Sequence, residues 1–424
     1  MLDITLIRTD ADKVKRGIAR KGLTADIDGV LKLDEKRRAL IAERDDLRNR
    51  RNTLSKEVGR LKASGADASA LMAQSKAIGN RIKALEEEAA ALDETQRQAL
   101  LNIPNLPADD VPDGSTPEQN QVVKTWGEPP PDEAFQRLAH WDIGPALGVL
   151  DFDRAAKLSA SGFALFVGDG ARLVRALITW MLDVQTAENG YKELWPPALV
   201  NARTMTGTGQ LPKFEVELYR TRDDPLYLIP TAEVPLTNFH QDEILAEKDL
   251  PLLYTAYTPC FRREAGAAGR DTRGMIRVHQ FDKVELVKFT TPETSAAEHE
   301  KLTRHAEVLL ERLGLPYRRS LLCAGDMSAS AVRCYDLEVY AAGCQRWLEV
   351  SSCSNFGDYQ ARRANIRYRD SKGKVRFVHT LNGSGLALPR IFIALLENFQ
   401  QPDGSIRLPD VLRPYMGGKE FIGK

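Results

Sequence analysis

The chain reads as an α+β protein, with a long antiparallel helical hairpin near its start and then a larger body carrying an antiparallel sheet. Three observations predict this. Leu33, Leu40, Leu47, Leu54 and Leu61 recur every seventh residue, and Leu71, Ile78, Leu85, Leu92 and Ala99 repeat the spacing. Heptads of this kind mark helices that pack along a seam. Between the two series lies ASGADAS, 63–69, with Gly65 to stop one helix and Asp67 or Ser69 to cap the next. Much later, Tyr254 to Glu264 and Ile276 to Phe289 alternate as strands do, with a glycine-bearing loop between them.

At 424 residues there is room for two or three domains. Lysine plus arginine equals aspartate plus glutamate, 59 each, so any case for nucleic acid has to be local. Five cysteines, with no C-x-x-C pair, argue against a disulfide framework or a zinc ribbon and for a reducing compartment. The N-terminus has early acids and no apolar core, and no stretch approaches a membrane span. The expectation is a soluble, cytoplasmic chain with no membrane partner.

Taken in order, a short globular lead-in precedes the hairpin, about 30–101. A helix of thirty-odd residues is about 50 Å long at ~1.5 Å per residue, so the hairpin should project. From 30 to 62, eleven Lys/Arg stand against six Asp/Glu, whereas from 70 to 101 four stand against five. Arg37, Arg44 and Arg51 fall where the first helix needs a second apolar row. Their long stems can snorkel along the seam, and together with Arg48 and Arg50 they offer a phosphate-binding face. Residues 102–131, rich in proline and polar side chains, form the crossing to the body. The predicted domains are therefore 1–106 and 107–424.

In the body, Gly162 to Asn189 reads as an amphipathic helix with Phe166, Leu173, Leu177 and Trp180 among its apolar positions. Pro196–Pro197 ends a strand. TGTGQLPKF, 206–214, is a glycine-flanked loop. In TAEVPL, 231–236, a hydroxyl and a carboxylate two residues apart can take an ammonium group and a small polar side chain. Period two places Arg262 with Glu264 on one strand face, and Phe281 with Glu285 on another. A face carrying an arginine, two carboxylates and a ring is costly to bury as mere structure. The loop between holds Gly266, Gly269 and Gly274 with Arg270, Arg273 and Arg277. Glycines let a backbone bend around a ligand and arginines clamp phosphates, so the hairpin predicts a nucleotide site. The cysteines lack metal-ligand spacing and read as small buried fillers. TLNGSGLALPRIFIALLENFQ, 380–400, is a glycine-rich turn running into an apolar helix, with Arg390 in its opening turn, where phosphate is favoured.

CFRREAG…RVHQFDKVE is similar to motif 2 of class II aminoacyl-tRNA synthetases, and the whole chain resembles the bacterial-type seryl-tRNA synthetases. The resemblance implies a six- to seven-stranded antiparallel sheet flanked by helices. It implies activation of L-serine by ATP and transfer to serine tRNA, and to selenocysteine tRNA as well. Pro197 matches the proline of motif 1, which implies a homodimer, and the hairpin matches the arm that contacts the long variable arm of serine tRNA. By the same resemblance, Arg262 bridges the serine carboxylate and the α-phosphate, and Phe281 stacks on adenine. Arg263, Glu264 and Val278 join the ATP site, and Arg390 holds the terminal phosphates. In Glu349–Val350–Ser351–Ser352, which binds ATP, Glu349 and Ser352 hold Mg2+, for which one carboxylate besides the phosphates is chemically enough. Thr231, Ala232, Glu233, Arg262, Glu285 and Ser384 surround serine. Arg262, Glu285 and Arg390 are the catalytic set.

Three departures stand out. Ser328 and Pro389 replace residues that are commonly glycine, and Leu348 replaces one that is frequently basic, which puts an extra phosphate contact there in doubt. Proline suits a helix start, so the helix after Pro389 should be preserved. Two alternatives are a paralogue loading a carrier other than tRNA and an adaptor with a decayed catalytic domain. The basic hairpin argues against the first, and the intact Arg262, Glu285, Glu349 and Arg390 against the second.

Overall fold

The computed structural model describes residues 1–131, 135–265 and 273–423. The chain divides into two compact units, Met1–Ala19 with Thr24–Pro104, and Arg20–Leu23 with Asn105–Lys424.

In the first unit, helices α1 (Ile4–Thr9) and α2 (Ala11–Arg20) precede the hairpin of α3 (Ile27–Ala63) and α4 (Ser69–Leu101). The Asp26 carboxylate accepts from Gly29 N–H at 2.8 Å and caps α3. Gly65, at φ +74°, ends α3, and the Ala66 N–H returns to the Leu61 carbonyl at 2.9 Å. Asp67 then accepts from Ser69 N–H at 2.9 Å at the start of α4. At the base of the hairpin Asp34 is buried against Arg8 at 2.8 Å and Arg38 at 2.9 Å, and the Arg8 guanidinium chiefly holds its carboxyl below the usual range. The heptad leucines of α3 are half-buried, and Ile82, Leu85 and Ala89 of α4 are buried. Arg37 and Arg44 lie half-buried in the second row, as snorkelling stems should, while Arg51 is exposed.

The second unit is built on an eight-stranded sheet. In chain order its strands are β1 (Gln121–Trp126), β2 (Lys192–Glu193), β3 (Leu252–Phe261), β4 (Gln280–Thr290), β5 (Tyr317–Leu321), β6 (Arg333–Ala341), β7 (Arg346–Asn355) and β8 (His379–Ala387). Across the sheet they run β1-β5-β6-β7-β8-β4-β3-β2. All neighbours are antiparallel except β2, which lies parallel to β3. The count exceeds the six or seven expected, and β2, at one edge, contributes only two residues.

Helices α5 (Asp169–Ala187), α7 (Ser295–Leu313) and α8 (Leu388–Asn398) bury one face of the sheet, and the short α6 (Glu233–Thr237) lies between α5 and α7 in sequence. Leu177, Trp180, Leu302, Leu309 and Phe392 pack there against Val284, Leu286, Leu337 and Leu381. Two glycines of β8 permit this approach. A Cβ on Gly383 would meet the Leu302 side chain at 2.6 Å and the Cys353 sulfur at 2.8 Å, and one on Gly385 would meet Leu286 at 3.1 Å. Alternation leaves Lys283 and Glu285 of β4 on the opposite face, which a second apolar cluster covers only further along, at Val287 and Phe289.

Two expectations are corrected. The helix expected from Gly162 begins at Asp169, because Gly162 and Gly168 take φ of +80° and +52°. Phe166 belongs to an extended segment bridged to Leu150, and its ring meets Phe392 edge-on at 5.0 Å. Strand β3 stops at Phe261 and β4 starts at Gln280, so Arg262 lies one residue past the strand, its N–H still donating to the His279 carbonyl at 2.9 Å. Glu264 turns off the sheet at φ +49° and shares no strand face with Arg262. Among the described residues no helix is long and apolar enough to cross a membrane.

Candidate active site

The open face of β4 and β8 carries a pocket of polar side chains. Glu285, fully buried, stands opposite Ser384 in the β4–β8 ladder. Its Oε1 accepts from the Asn382 amide at 2.9 Å, and its Oε2 accepts from the Thr231 hydroxyl at 3.3 Å. The Lys283 ammonium lies 2.5 Å from that same Oε2. The TAE tripeptide leads into α6 with Thr231, Ala232 and Glu233 all buried. Glu233 accepts from the Gln360 amide at 2.6 Å, and the carbonyl of Gln360 accepts from the Thr380 hydroxyl at 2.7 Å. Burial pushes the Glu233 carboxyl up to about 7, with the Glu285 charge adding to the rise and Gln360, Lys283 and Arg262 opposing it. A buried carboxylate half-charged near neutrality is a ready partner for an incoming cation.

Arg262 and Phe281 form the next part of the surface. The guanidinium lies over the Phe281 ring at 5.0 Å, and Nε donates to the Pro230 carbonyl at 3.3 Å. A cavity of about 370 Å³ opens beside Phe281, lined by Met275, Val278, Phe163, Leu388 and Pro389 among others, which suits a flat apolar ring. Arg263 N–H donates to the Glu217 carbonyl at 3.0 Å, and Glu264 pairs with Arg277 at 3.4 Å. Arg273 pairs with Asp142 at 3.3 Å and lies over the Trp141 ring at 4.6 Å. Gly266, Gly269 and Arg270 lie outside the described residues.

A bulge shapes the third part. In the β6–β7 ladder Glu349 faces Glu338, whereas Ser351 faces Leu337, so Val350 is an extra residue. Residues three apart on a regular strand point to opposite faces. The bulge instead brings Glu349 and Ser352 to one face, with Ser352 opposite Asp336. Val350 is buried in the apolar core, and the Ser351 hydroxyl donates to the Ser384 carbonyl at 2.7 Å. Burial, then the Glu349 charge, holds the Asp336 carboxyl well above its usual range. Arg390, the third residue of α8, donates to the Glu349 carbonyl at 2.6 Å and lies 3.5 Å from its carboxylate. Pro389 occupies the second position of that helix without disturbing it. Leu348 is buried in the core and makes no contact of the kind a basic residue would. Ser328 has an ordinary φ, and its carbonyl accepts from the buried Lys21 ammonium at 2.9 Å.

Sequence reasoning missed Lys283, Asn382, Gln360 and Asp336. Period two was signal enough for Lys283, which stands between Phe281 and Glu285, and for Asn382, two residues before Ser384. It also missed an anchor for the strand-entry segment. The His140 Nδ1 lies 2.8 Å from Glu397 Oε1, Cys344 Sγ donates to the same oxygen at 3.0 Å, and His140 Nε2 accepts from Met275 N–H at 3.0 Å. Since Nε2 accepts, Nδ1 carries the proton and donates to Glu397, which leaves it no lone pair for a metal. These three side chains therefore form a hydrogen-bonded post rather than a metal centre.

On the hairpin, Arg37 pairs with Asp93, Arg48 with Glu86 at 2.6 Å, Arg44 with Asp45 at 2.8 Å and Arg50 with Asp46 at 2.8 Å. Arg51 has no ion pair among the described residues. Exposed pairs of this kind contribute about 0–1 kcal/mol each and are readily exchanged for a phosphate.

Residues 1–107 match the seryl-tRNA synthetase N-terminal domain, and residues 214–399 match the tRNA synthetase class II core domain (G, H, P, S and T). A serine–tRNA ligase from Syntrophomonas wolfei is 52% identical, with 100% of this chain and 99% of that protein aligned. A crystal structure of seryl-tRNA synthetase from Pyrococcus horikoshii complexed with ATP superposes with a TM-score of 0.92 at 38% identity, covering 100% of this chain and 99% of that one. The cytoplasmic serine–tRNA ligase of Naegleria fowleri in complex with AMP does so with a TM-score of 0.88 at 30% identity, covering 100% and 98%.

Proposed function

The chain belongs to the seryl-tRNA synthetase family, and on that premise we propose that it activates L-serine with ATP and joins it to the 3′ end of serine tRNA. The observation that carries the choice of amino acid is the pairing, in one buried pocket, of Glu285 with Glu233. Glu285 offers an acceptor to a substrate hydroxyl, and Glu233 offers a carboxylate to a substrate ammonium. The serine carboxylate attacks the α-phosphorus in line, pyrophosphate leaves, and seryl-adenylate forms. A terminal ribose hydroxyl of the tRNA then attacks the adenylate carbonyl, and AMP leaves. Positioning and charge stabilisation dominate both steps.

Arg262 bridges the serine carboxylate and the α-phosphate, Phe281 and Val278 hold adenine, and Arg390 meets the terminal phosphates. Thr231 and Ser384 close the pocket around serine. Asp336, Glu349 and Ser352 offer hard oxygen donors on one face, and the mutual repulsion of the two carboxylates suits a divalent cation. Glu349 and Ser352 would hold Mg2+, which would supply charge neutralisation to the phosphates. Supporting a homodimer, Trp195 beside Pro196–Pro197 is 79% exposed on this chain alone. The arginines of α3 supply the phosphate contacts to serine tRNA and, by family resemblance, selenocysteine tRNA. We take the reaction to be cytoplasmic, a reading that ATP and tRNA as substrates support. The carrier-loading and adaptor readings find no support, since full-length relatives are serine–tRNA ligases and the catalytic positions are intact.

Pyrophosphate exchange into ATP tests the proposal. It should depend on serine and on no other amino acid at comparable concentration, and exchange driven best by another amino acid would overturn it.

A further inference from the structure

Strand β4 carries a charged residue whose role follows from its surroundings. Lys283 is 6% exposed and Glu285 0%. The ammonium lies 2.5 Å from Glu285 Oε2 and donates to the Thr231 hydroxyl at 2.9 Å. With Thr231 and Asn382 also donating, three protein donors meet the Glu285 carboxylate. A carboxylate offers about four lone-pair sites, so one remains for a ligand. The titratable and charged groups around it are Lys283 on its own strand, Cys260 near the end of β3, Arg262 just past it, and Glu233 from α6. Strand β8 adds the amide of Asn382 and, opposite Glu285 in the ladder, Ser384, neither of them charged.

Glu233 and Glu285 are two carboxylates in one buried pocket, and the charge of Glu285 adds to the rise of the Glu233 carboxyl. If Glu285 took up a proton, it would present a hydroxyl of its own. The pocket would then lose its demand for a donor from the substrate. Lys283 is the cation bonded directly to Glu285, whereas Arg262 lies over Phe281.

We propose that Lys283 is a specificity-determining residue of the amino-acid pocket: its ion pair keeps Glu285 an acceptor only, so the pocket selects an amino acid that donates a hydroxyl. This rests on the serine-activating reading above. Removing the ammonium leaves Glu285 with only the neutral donors Thr231 and Asn382 and with Glu233 in the same pocket, so the variant is expected to take up a proton there and its preference for serine over alanine to narrow.

The test uses the full-length chain and measures serine- and alanine-dependent pyrophosphate exchange from about pH 6 to 9, with KM for ATP alongside. For Lys283→Met the serine-to-alanine ratio of kcat/KM should fall about tenfold or more, the size expected when a buried acceptor no longer demands a partner. The serine defect should shrink as pH rises and Glu285 loses its proton, while KM for ATP stays within about twofold. Added to Glu285→Gln, Lys283→Met should lower serine activation by less than about twofold, because the ammonium then has no carboxylate to hold. That double variant removes both buried charges, and it carries the test if Lys283→Met alone fails to fold. An unchanged ratio with a pH profile superimposable on the parent's, or a fully additive loss in the double variant, would overturn the proposal. If the parent chain itself shows no serine-dependent exchange, the serine-activating reading falls, and this proposal with it.

Discussion

Replacing Glu233 by glutamine should stabilise the folded protein at neutral and alkaline pH while removing its ability to take serine. Glu233 is 8% exposed, so water screens it little. Burial first, then the charge of Glu285, lifts its carboxyl from 4.5 to about 7. At roughly 1.4 kcal/mol for each tenfold change in proton affinity, ionising it inside the fold costs about 3 kcal/mol. The sign follows from linkage. A carboxyl raised in the folded state holds its proton longer than in the unfolded chain, so its contribution is fully present below 4.5 and is lost as pH rises through about 7. The amide has no proton to lose, and its oxygen can keep the bond from Gln360. Urea denaturation of parent and variant at about pH 5 and about pH 8 should show an advantage of about 1 kcal/mol growing to about 3 kcal/mol. A difference that is the same at both pH values would refute the reasoning, because it would mean that Glu233 is not held in its protonated form by burial.

The same titration predicts that the parent's KM for serine climbs as pH falls below about 7 while KM for ATP does not, since protonated Glu233 cannot meet an ammonium. Arg262→Ala should lose exchange by about a hundredfold or more while changing stability by less than about 1 kcal/mol, since its side chain meets one carbonyl and one ring and its backbone bonds are kept. Near-normal exchange in that variant would remove Arg262 from the mechanism. Glu285→Ala should lose serine activation and narrow the serine-over-alanine ratio, and an unchanged ratio would move specificity to another residue such as Ser384. Changing Arg48, Arg50 and Arg51 together to alanine should weaken tRNA binding and flatten its dependence on salt, with serine-dependent exchange intact. Replacing residues 33–99 by a short glycine-serine bridge should abolish charging and spare exchange, and undiminished charging would exclude the hairpin as a tRNA-binding element.

The hairpin was legible because heptad spacing and turn chemistry are local. Both helices contain their predicted heptad runs and Gly65 stops α3 as read from the turn, whereas the cap position of α4 falls to Ala68, with Asp67 just before it accepting from Ser69 N–H. Errors arose where tertiary geometry replaced period. Phe166 continues the apolar spacing of α5 from an extended segment, which periodicity alone cannot separate from a helix turn. Glu264 follows the alternation of β3 in sequence, but its backbone has already turned away at φ +49°. The bulge at Val350 sets Glu349 and Ser352 on one face, and nothing in the local pattern announces it. The His140–Glu397 contact joins residues 257 apart and has no local signal at all. Lys283 is a different case, since strand alternation already placed it between Phe281 and Glu285. A lysine among carboxylates passes for surface charge until its burial is known.

The most direct test of the central claim is to incubate the chain with ATP, an equimolar mixture of amino acids and unfractionated tRNA, and to identify the ester formed. The pocket of Glu233, Glu285 and Lys283 and the arginines of α3 predict seryl esters at the 3′ ends of serine-accepting tRNAs. Another amino acid on the tRNA, or serine-dependent pyrophosphate exchange with no tRNA ester at all, would contradict the account.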